Sequence, residues 1–182
     1  MVLKRVGTAP EREVSRRLDE GVPFDVELAS EVDSIDDIFY WRSANGTYLL
    51  EVKIVAATGM IGGVTLVLVP KEQRRIVGSV RQAESRTDNG VPLVDLAPWK
   101  ARIGNREFGI DPAVRFIDES VPFAFGIGTD GIAVYFESGE AASTVRNGDL
   151  TFSFTEENLL CGITLTGLSA RELRRMRKCH GP

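Results

Sequence analysis

Short apolar runs closed by turn residues recur along this chain, and the clearest series lies in Val121 to Lys178, two apolar hairpins and a further strand followed by a short amphipathic helix. Within it, Asp130-Gly131 and Asn147-Gly148 each sit between runs rich in β-branched and aromatic residues. Such pairs accept the positive φ angles of a type I′ turn, so two hairpins are predicted. Their strands fall at about Phe123–Ile127, Ile132–Glu137, Ala142–Arg146 and Leu150–Phe154. The run Leu159–Thr166 alternates with a period of two and predicts the further strand. Ser169-Ala-Arg-Glu172 then has the form of a capping box, in which hydroxyl and carboxylate satisfy each other's orphan amides. It opens a predicted helix to about Lys178, docked through Leu168, Leu173 and Met176, with its cations gathered where the helix dipole favours them.

The first half carries weaker signals of the same kind. Thr8-Ala-Pro-Glu11 is again a capping box, with Pro in the first turn, and predicts a short surface helix from about Pro10 to Glu20, stopped by Gly21 and Pro23. Phe39–Trp41 leads through Asn45-Gly46 into Thr47–Val55 as a hairpin. Gly59–Gly63 makes the next connection, and Val64–Val69 is a strand apolar on both faces. Lys71–Arg81 fits either an edge strand or a short helix, and Ser85–Gly90 reads as a polar turn. Prolines break Val91–Ser120 into short strands at best, with Trp99 and Phe108 as packing anchors. The fold class expected is α+β: twisted, mainly antiparallel sheet built from hairpins, with short helices near both ends. It forms one domain, or two β-rich lobes over about 1–88 and 89–182.

The sequence D-G-I-A-V-Y-F at Asp130–Phe136, followed after a polar turn and a hairpin by L-C-G-I-T-L at Leu160–Leu165 and then by Ser169, resembles a small uncharacterised bacterial β-rich domain with a terminal helix. Thr164 stands where that domain usually carries an acidic residue. The resemblance implies a fold for the C-terminal part and no activity.

Composition narrows the classes. A chain of 182 residues can bury roughly 70% of its unfolded surface and needs no disulfide staple. Cys161 and Cys179, with no signal peptide, read as reduced thiols of a cytoplasmic protein, Cys161 in the core and Cys179 in a tail. No apolar run approaches the length that spans a bilayer. A net charge of −4 argues against general nucleic-acid binding.

Motifs of chemistry are few. Gly126-Ile-Gly128-Thr-Asp-Gly131 satisfies a dinucleotide fingerprint by letter, but a strand follows where a helix is required, so it reads as a turn. His180 is the single histidine and reads as part of a frayed tail. The sharpest feature is acidic: between Leu18 and Trp41 stand eight carboxylates and no cation. A solvated loop would explain that. A docking surface for a basic partner would as well, since complementary charge steers association.

The expected function is therefore a non-enzymatic protein-binding module, similar in type to immunity proteins of contact-dependent inhibition and other polymorphic toxin systems. Asp25, Glu27, Glu31, Asp33, Asp36 and Asp37 would contact a basic toxin domain such as a nuclease. No catalytic residue, cofactor or metal ligand is assigned. Two alternatives stand beside it. One is a hydrolase using clustered carboxylates and a divalent ion; the other is a phosphate or nucleic-acid binder using Arg171–Lys178. A homodimer pairing the acidic segment with the basic helix is a further expectation.

Overall fold

The computed structural model describes residues 3–30, 37–44, 48–67, 69–80, 86–103 and 112–180. The turn Asn45-Gly46, Arg81, Ser85 and Phe108 lie outside them, as do Glu31, Asp33 and Asp36. The class is α+β and β-rich, as the sequence pattern predicts.

Two large sheets carry the fold. The first has the order β10-β4-β5-β6-β3-β2, with β2 Val14–Arg17, β3 Phe24–Leu28, β4 Ile38–Ala44, β5 Leu49–Val55, β6 Ile61–Val67 and β10 Phe116–Glu119. The second has the order β7-β11-β12-β15-β14-β13-β8, with β7 Arg74–Ile76, β8 Arg86–Asn89, β11 Phe123–Ile127, β12 Gly131–Phe136, β13 Ser143–Asn147, β14 Leu150–Phe154 and β15 Leu160–Thr166. The sheets exchange edges. β7 and β8 come from the first half and join the second sheet in parallel with β11 and β13, whereas β10 comes from the second half and joins β4 in parallel. A small ladder of β1 (Arg5–Ala9) and β9 (Val91–Val94) is tied to both sheets, through the bridges Met60–Leu93 and Lys4–Leu159.

One apolar face of each sheet turns inward, because strand side chains alternate and the central strands each have one largely apolar side. Phe24, Val26, Trp41, Leu50, Val52, Ile54, Val64 and Leu66 of the first meet Phe125, Ile132, Val134, Phe136, Phe152, Phe154, Ile163 and Leu165 of the second in one continuous core. Trp41 packs edge-on against Phe136 with ring centroids 5.9 Å apart, and Tyr48 against Phe123 at 4.7 Å. Helix α1 (Ala97–Ile103) closes one flank with Trp99, which stacks on Phe39 and donates its indole N–H to the Arg115 carbonyl at 3.1 Å. Helix α2 (Ala170–His180) closes the other, seating Leu173, Met176 and His180.

Several local expectations are corrected. Pro10–Glu20 forms no helix: Val14–Arg17 pairs antiparallel with β3, and the Asn147 side chain engages both backbone groups of Arg12 at 2.8 Å. The capping-box letters are genuine, but β1 finds a long-range backbone partner in β9 and β2 a nearby one in β3, and together these outweigh a short, weakly amphipathic helix. Residues 86–89 of the expected polar turn form an edge strand, and Gly62 and Gly63 belong to β6. At the Asn147-Gly148 hairpin the central pair is Gly148-Asp149 and only Gly148 takes a positive φ (+60°), the φ pattern of a type II′ turn. His180 and Cys179 are not frayed: both lie in α2, and His180 is 3% exposed.

Candidate functional site

The outward face of the first sheet is the most organised polar surface of the molecule. Because side chains point alternately up and down, register alone decides which residues share it. Two rows cross the sheet: Phe116, Tyr40, Lys53, Gly63, Glu27 and Ser15 in one, and Asp118, Arg42, Glu51, Thr65, Asp25 and Arg17 in the other.

The charges are ordered. Arg42 makes a two-pronged ion pair with Asp118, Nε to Oδ1 at 2.7 Å and Nη2 to Oδ2 at 3.0 Å, and its guanidinium lies 4.0 Å over the Phe116 ring. Tyr40 stacks on the same ring, centroids 4.9 Å apart. Lys53 pairs with Glu27 across strand β6. Gly63 stands between them, and a Cβ there would lie 2.7 Å from the Glu27 Oε2 atom, so the bare backbone is what lets the pair close. Thr65 donates to the Asp25 carboxylate at 2.8 Å. From Glu27 to Asp118 the charges thus alternate: Glu27, Lys53, Glu51, Arg42, Asp118.

Glu51 sits at the centre of that series. The two cations beside it are turned toward other carboxylates, and half-burial raises the Glu51 carboxyl above its ordinary value despite Lys53 and Arg42, which pull it down. Burial also pulls the Lys53 ammonium down, but the hydrogen bond and charge of Glu27, with Glu51 and Asp25, outweigh it and the net shift is upward. Burial, with Glu51, raises the Tyr40 phenol. The Arg42 hydrogen bond holds the Asp118 carboxyl below its ordinary value.

Of the six carboxylates expected at a docking surface, Asp25 and Glu27 therefore share this face on β3. Asp37 is exposed at the entry to β4, where its carbonyl accepts the Ala56 amide at 2.8 Å. Glu31, Asp33 and Asp36 lie outside the described residues. The rest of the acidic run has other work. Asp19 Oδ1 accepts the amides of Gly21 and Val22 at 2.9 and 2.7 Å and fixes the turn between β2 and β3, while Glu20 meets the Cys179 thiol at 3.4 Å.

Sequence reasoning misses Glu51, Lys53, Arg42 and Asp118. The first two carry a visible signal, the alternation Leu49, Glu51, Lys53 against Leu50, Val52, Ile54. Arg42 and Asp118 do not, since only the parallel register of β4 and β10 brings them together.

The basic helix is divided between two roles. All five cations are exposed; of these, Arg175 donates to the Leu18 carbonyl and Arg177 to that of Gly128 at 2.8 Å. Among the described residues no three His, Cys, Asp or Glu side chains converge as a metal set, and no helix is long and apolar enough to cross a membrane. Compared with known protein families and with curated proteins, the chain matches no family model and no curated sequence.

Proposed function

We propose that this protein is a non-catalytic binding module, and that its ligand is another protein seated on the outward face of the six-stranded sheet. The observation that carries the reading is the composition and order of that face. Tyr40, itself 9% exposed, stacks with the half-buried Phe116 and Arg42 in a group of the residue types that dominate protein interfaces. Around it the charged side chains are already fixed by one another, so little rotamer freedom remains to be lost on association.

The charge balance favours a basic partner. Asp25, Glu27, Glu51 and Asp118 face Arg17, Arg42 and Lys53, with Arg102 beside Asp118, so the described face is close to balanced, and the acidic excess comes from the sequence joining β3 to β4, which carries Glu31, Asp33, Asp36 and Asp37 and no cation. Such a field accelerates encounter with a cationic surface and weakens with salt. A small acidic protein of this kind suits the role of an immunity protein, which covers a basic toxin domain such as a nuclease. The test is retention of a basic protein by tagged chain from its native host at low and high salt, repeated with Asp25→Lys, Glu27→Lys and Asp37→Lys combined. The reading expects one stoichiometric basic protein held by the wild type, and released by a variant whose circular dichroism is unchanged. Equal retention by both would remove it.

A further inference from the structure

The one histidine of the chain is built into the seam between α2 and the rest of the fold, and it is uncharged there by construction. His180 is 3% exposed, and its ring stands edge-on to Phe125 of β11 with centroids 6.3 Å apart. Nε2 lies 3.2 Å from the Asp19 carbonyl oxygen, which can only accept, so Nε2 carries the proton. Nδ1 then holds the lone pair, and it is buried with no hydrogen-bond partner among the described residues. A second proton would create an N–H at Nδ1 that points at no acceptor, on a cation removed from water.

We propose that the last turn of α2 is an acid-released latch: it stays docked on β11 and on the turn between β2 and β3 while His180 is neutral, and lets go when the imidazole takes a proton. The groups around the ring decide the sign. Asp19 and Glu20 face it from the turn and Arg74 from β7, with Phe125 on β11 and Cys179 beside it on α2. Asp19 and Glu20 would favour a charged ring, as would the negative end of the helix dipole. The Asp19 carboxylate, however, is committed to Gly21, Val22 and Arg17, and Glu20 to the Cys179 thiol. Arg74, whose guanidinium donates to the carbonyls of Val69 at 2.8 Å and Cys179 at 3.4 Å, opposes the charge. Burial is the largest influence and the net shift is downward.

Above about pH 6.5 the ring is neutral whether the turn is docked or free, and the latch holds. Below that value the free turn takes a proton and the docked one does not. The docking equilibrium therefore falls by up to about tenfold per pH unit until the docked ring itself titrates. Release of the turn would part Arg74 from the Cys179 carbonyl and remove the ring that stands edge-on to Phe125, a core side chain.

Two measurements test it. Since His180 is the only histidine, its ring protons give one unambiguous NMR titration. The midpoint is expected below about 6.5, the ordinary value, with amide protection of Leu173–His180 falling as the pH drops while that of β11 and β12 holds. His180→Phe keeps the edge-on contact and cannot titrate, so its α2 protection should stay level over the same range. A midpoint at or above the ordinary value in the wild type overturns the proposal, whatever the variant does. So does an equal loss of α2 protection in His180→Phe.

Discussion

Gly63 offers the sharpest test of how the polar face is built, through the single substitution Gly63→Ala. The added Cβ would lie 2.7 Å from Glu27 Oε2, 3.2 Å from Glu27 Cδ and 2.9 Å from the Val26 carbonyl oxygen. The Glu27 side chain can swing away, at the loss of its pair with Lys53; the carbonyl belongs to the neighbouring strand and cannot move without shifting the ladder. Overpacking of this kind costs about 1–3 kcal/mol. Loss of a half-exposed ion pair adds up to about 1 kcal/mol. Alanine's smaller loss of backbone entropy in a strand returns about 0.5–1 kcal/mol. The net expectation is a destabilisation of about 1–2 kcal/mol, which for a chain of this size lowers Tm by about 3–6 °C. Thermal melts followed by circular dichroism would read it. A double-mutant cycle with Glu27→Ala separates the two contacts, because removing the carboxylate should be milder by about 0.5–1 kcal/mol in the Gly63→Ala background, where the added methyl already displaces it. A Tm equal to or above that of the wild type would refute the reasoning, as would an equal effect of Glu27→Ala in both backgrounds.

Two further predictions concern the same sheet and the helix α1 packed against it. Glu51→Gln should stabilise the protein at pH 7 by up to about 1 kcal/mol, since burial makes the Glu51 charge unfavourable there. The folded-state value lies above the unfolded one, so the wild type gains stability as the pH falls through it, and urea melts should show the advantage of the variant shrinking as the pH is lowered toward the ordinary carboxylate range; an advantage that grows would contradict the assignment. Trp99→Ala, which removes the fully buried ring stacked on Phe39 and its bond to the Arg115 carbonyl, should cost about 3–5 kcal/mol in the same assay, and a loss under about 1 kcal/mol would show that α1 is not an anchor.

What was legible in the sequence was what is local. The strands Phe123–Ile127 and Leu150–Phe154 match their expected bounds, and the Ser169–Glu172 box forms with Ser169 Oγ and the Glu172 carboxylate each serving the other's amide. The Thr8–Glu11 box obeyed the same local rule and failed, because Arg5–Ala9 finds a ladder far along the chain on Val91–Val94, which no window of sequence reveals. Residues 86–89 looked like a turn for the same reason: their polarity is that of an edge strand, and the partner, β13, is far downstream. At the candidate site the carboxylates were visible as a run but their separation was not. Asp19, Glu20, Asp25 and Glu27 are near neighbours in sequence, yet Asp19 caps a turn, Glu20 faces α2, and Asp25 and Glu27 join a charge network whose cations come from strands still to follow.

The edges of the two sheets bear on how a partner can bind. A partner could in principle add a strand to an open edge, as many peptide ligands do. Each large sheet ends in short, charged strands: β2 (VSRR) and β10 (FIDE) on the first, β7 (RRI) and β8 (RTDN) on the second. Short charged edges are how natural sheets resist edge-to-edge pairing. Three of the four, β7, β8 and β10, are also strands contributed from the other half of the chain. Ile76 on β7 is the exposed apolar exception, at 52%. With the edges short and charged and the inward faces filled by the shared core, an outward sheet face remains as a broad surface, and the one over β10, β4, β5, β6 and β3 carries the stacked aromatics and alternating charges that the proposed protein partner would read.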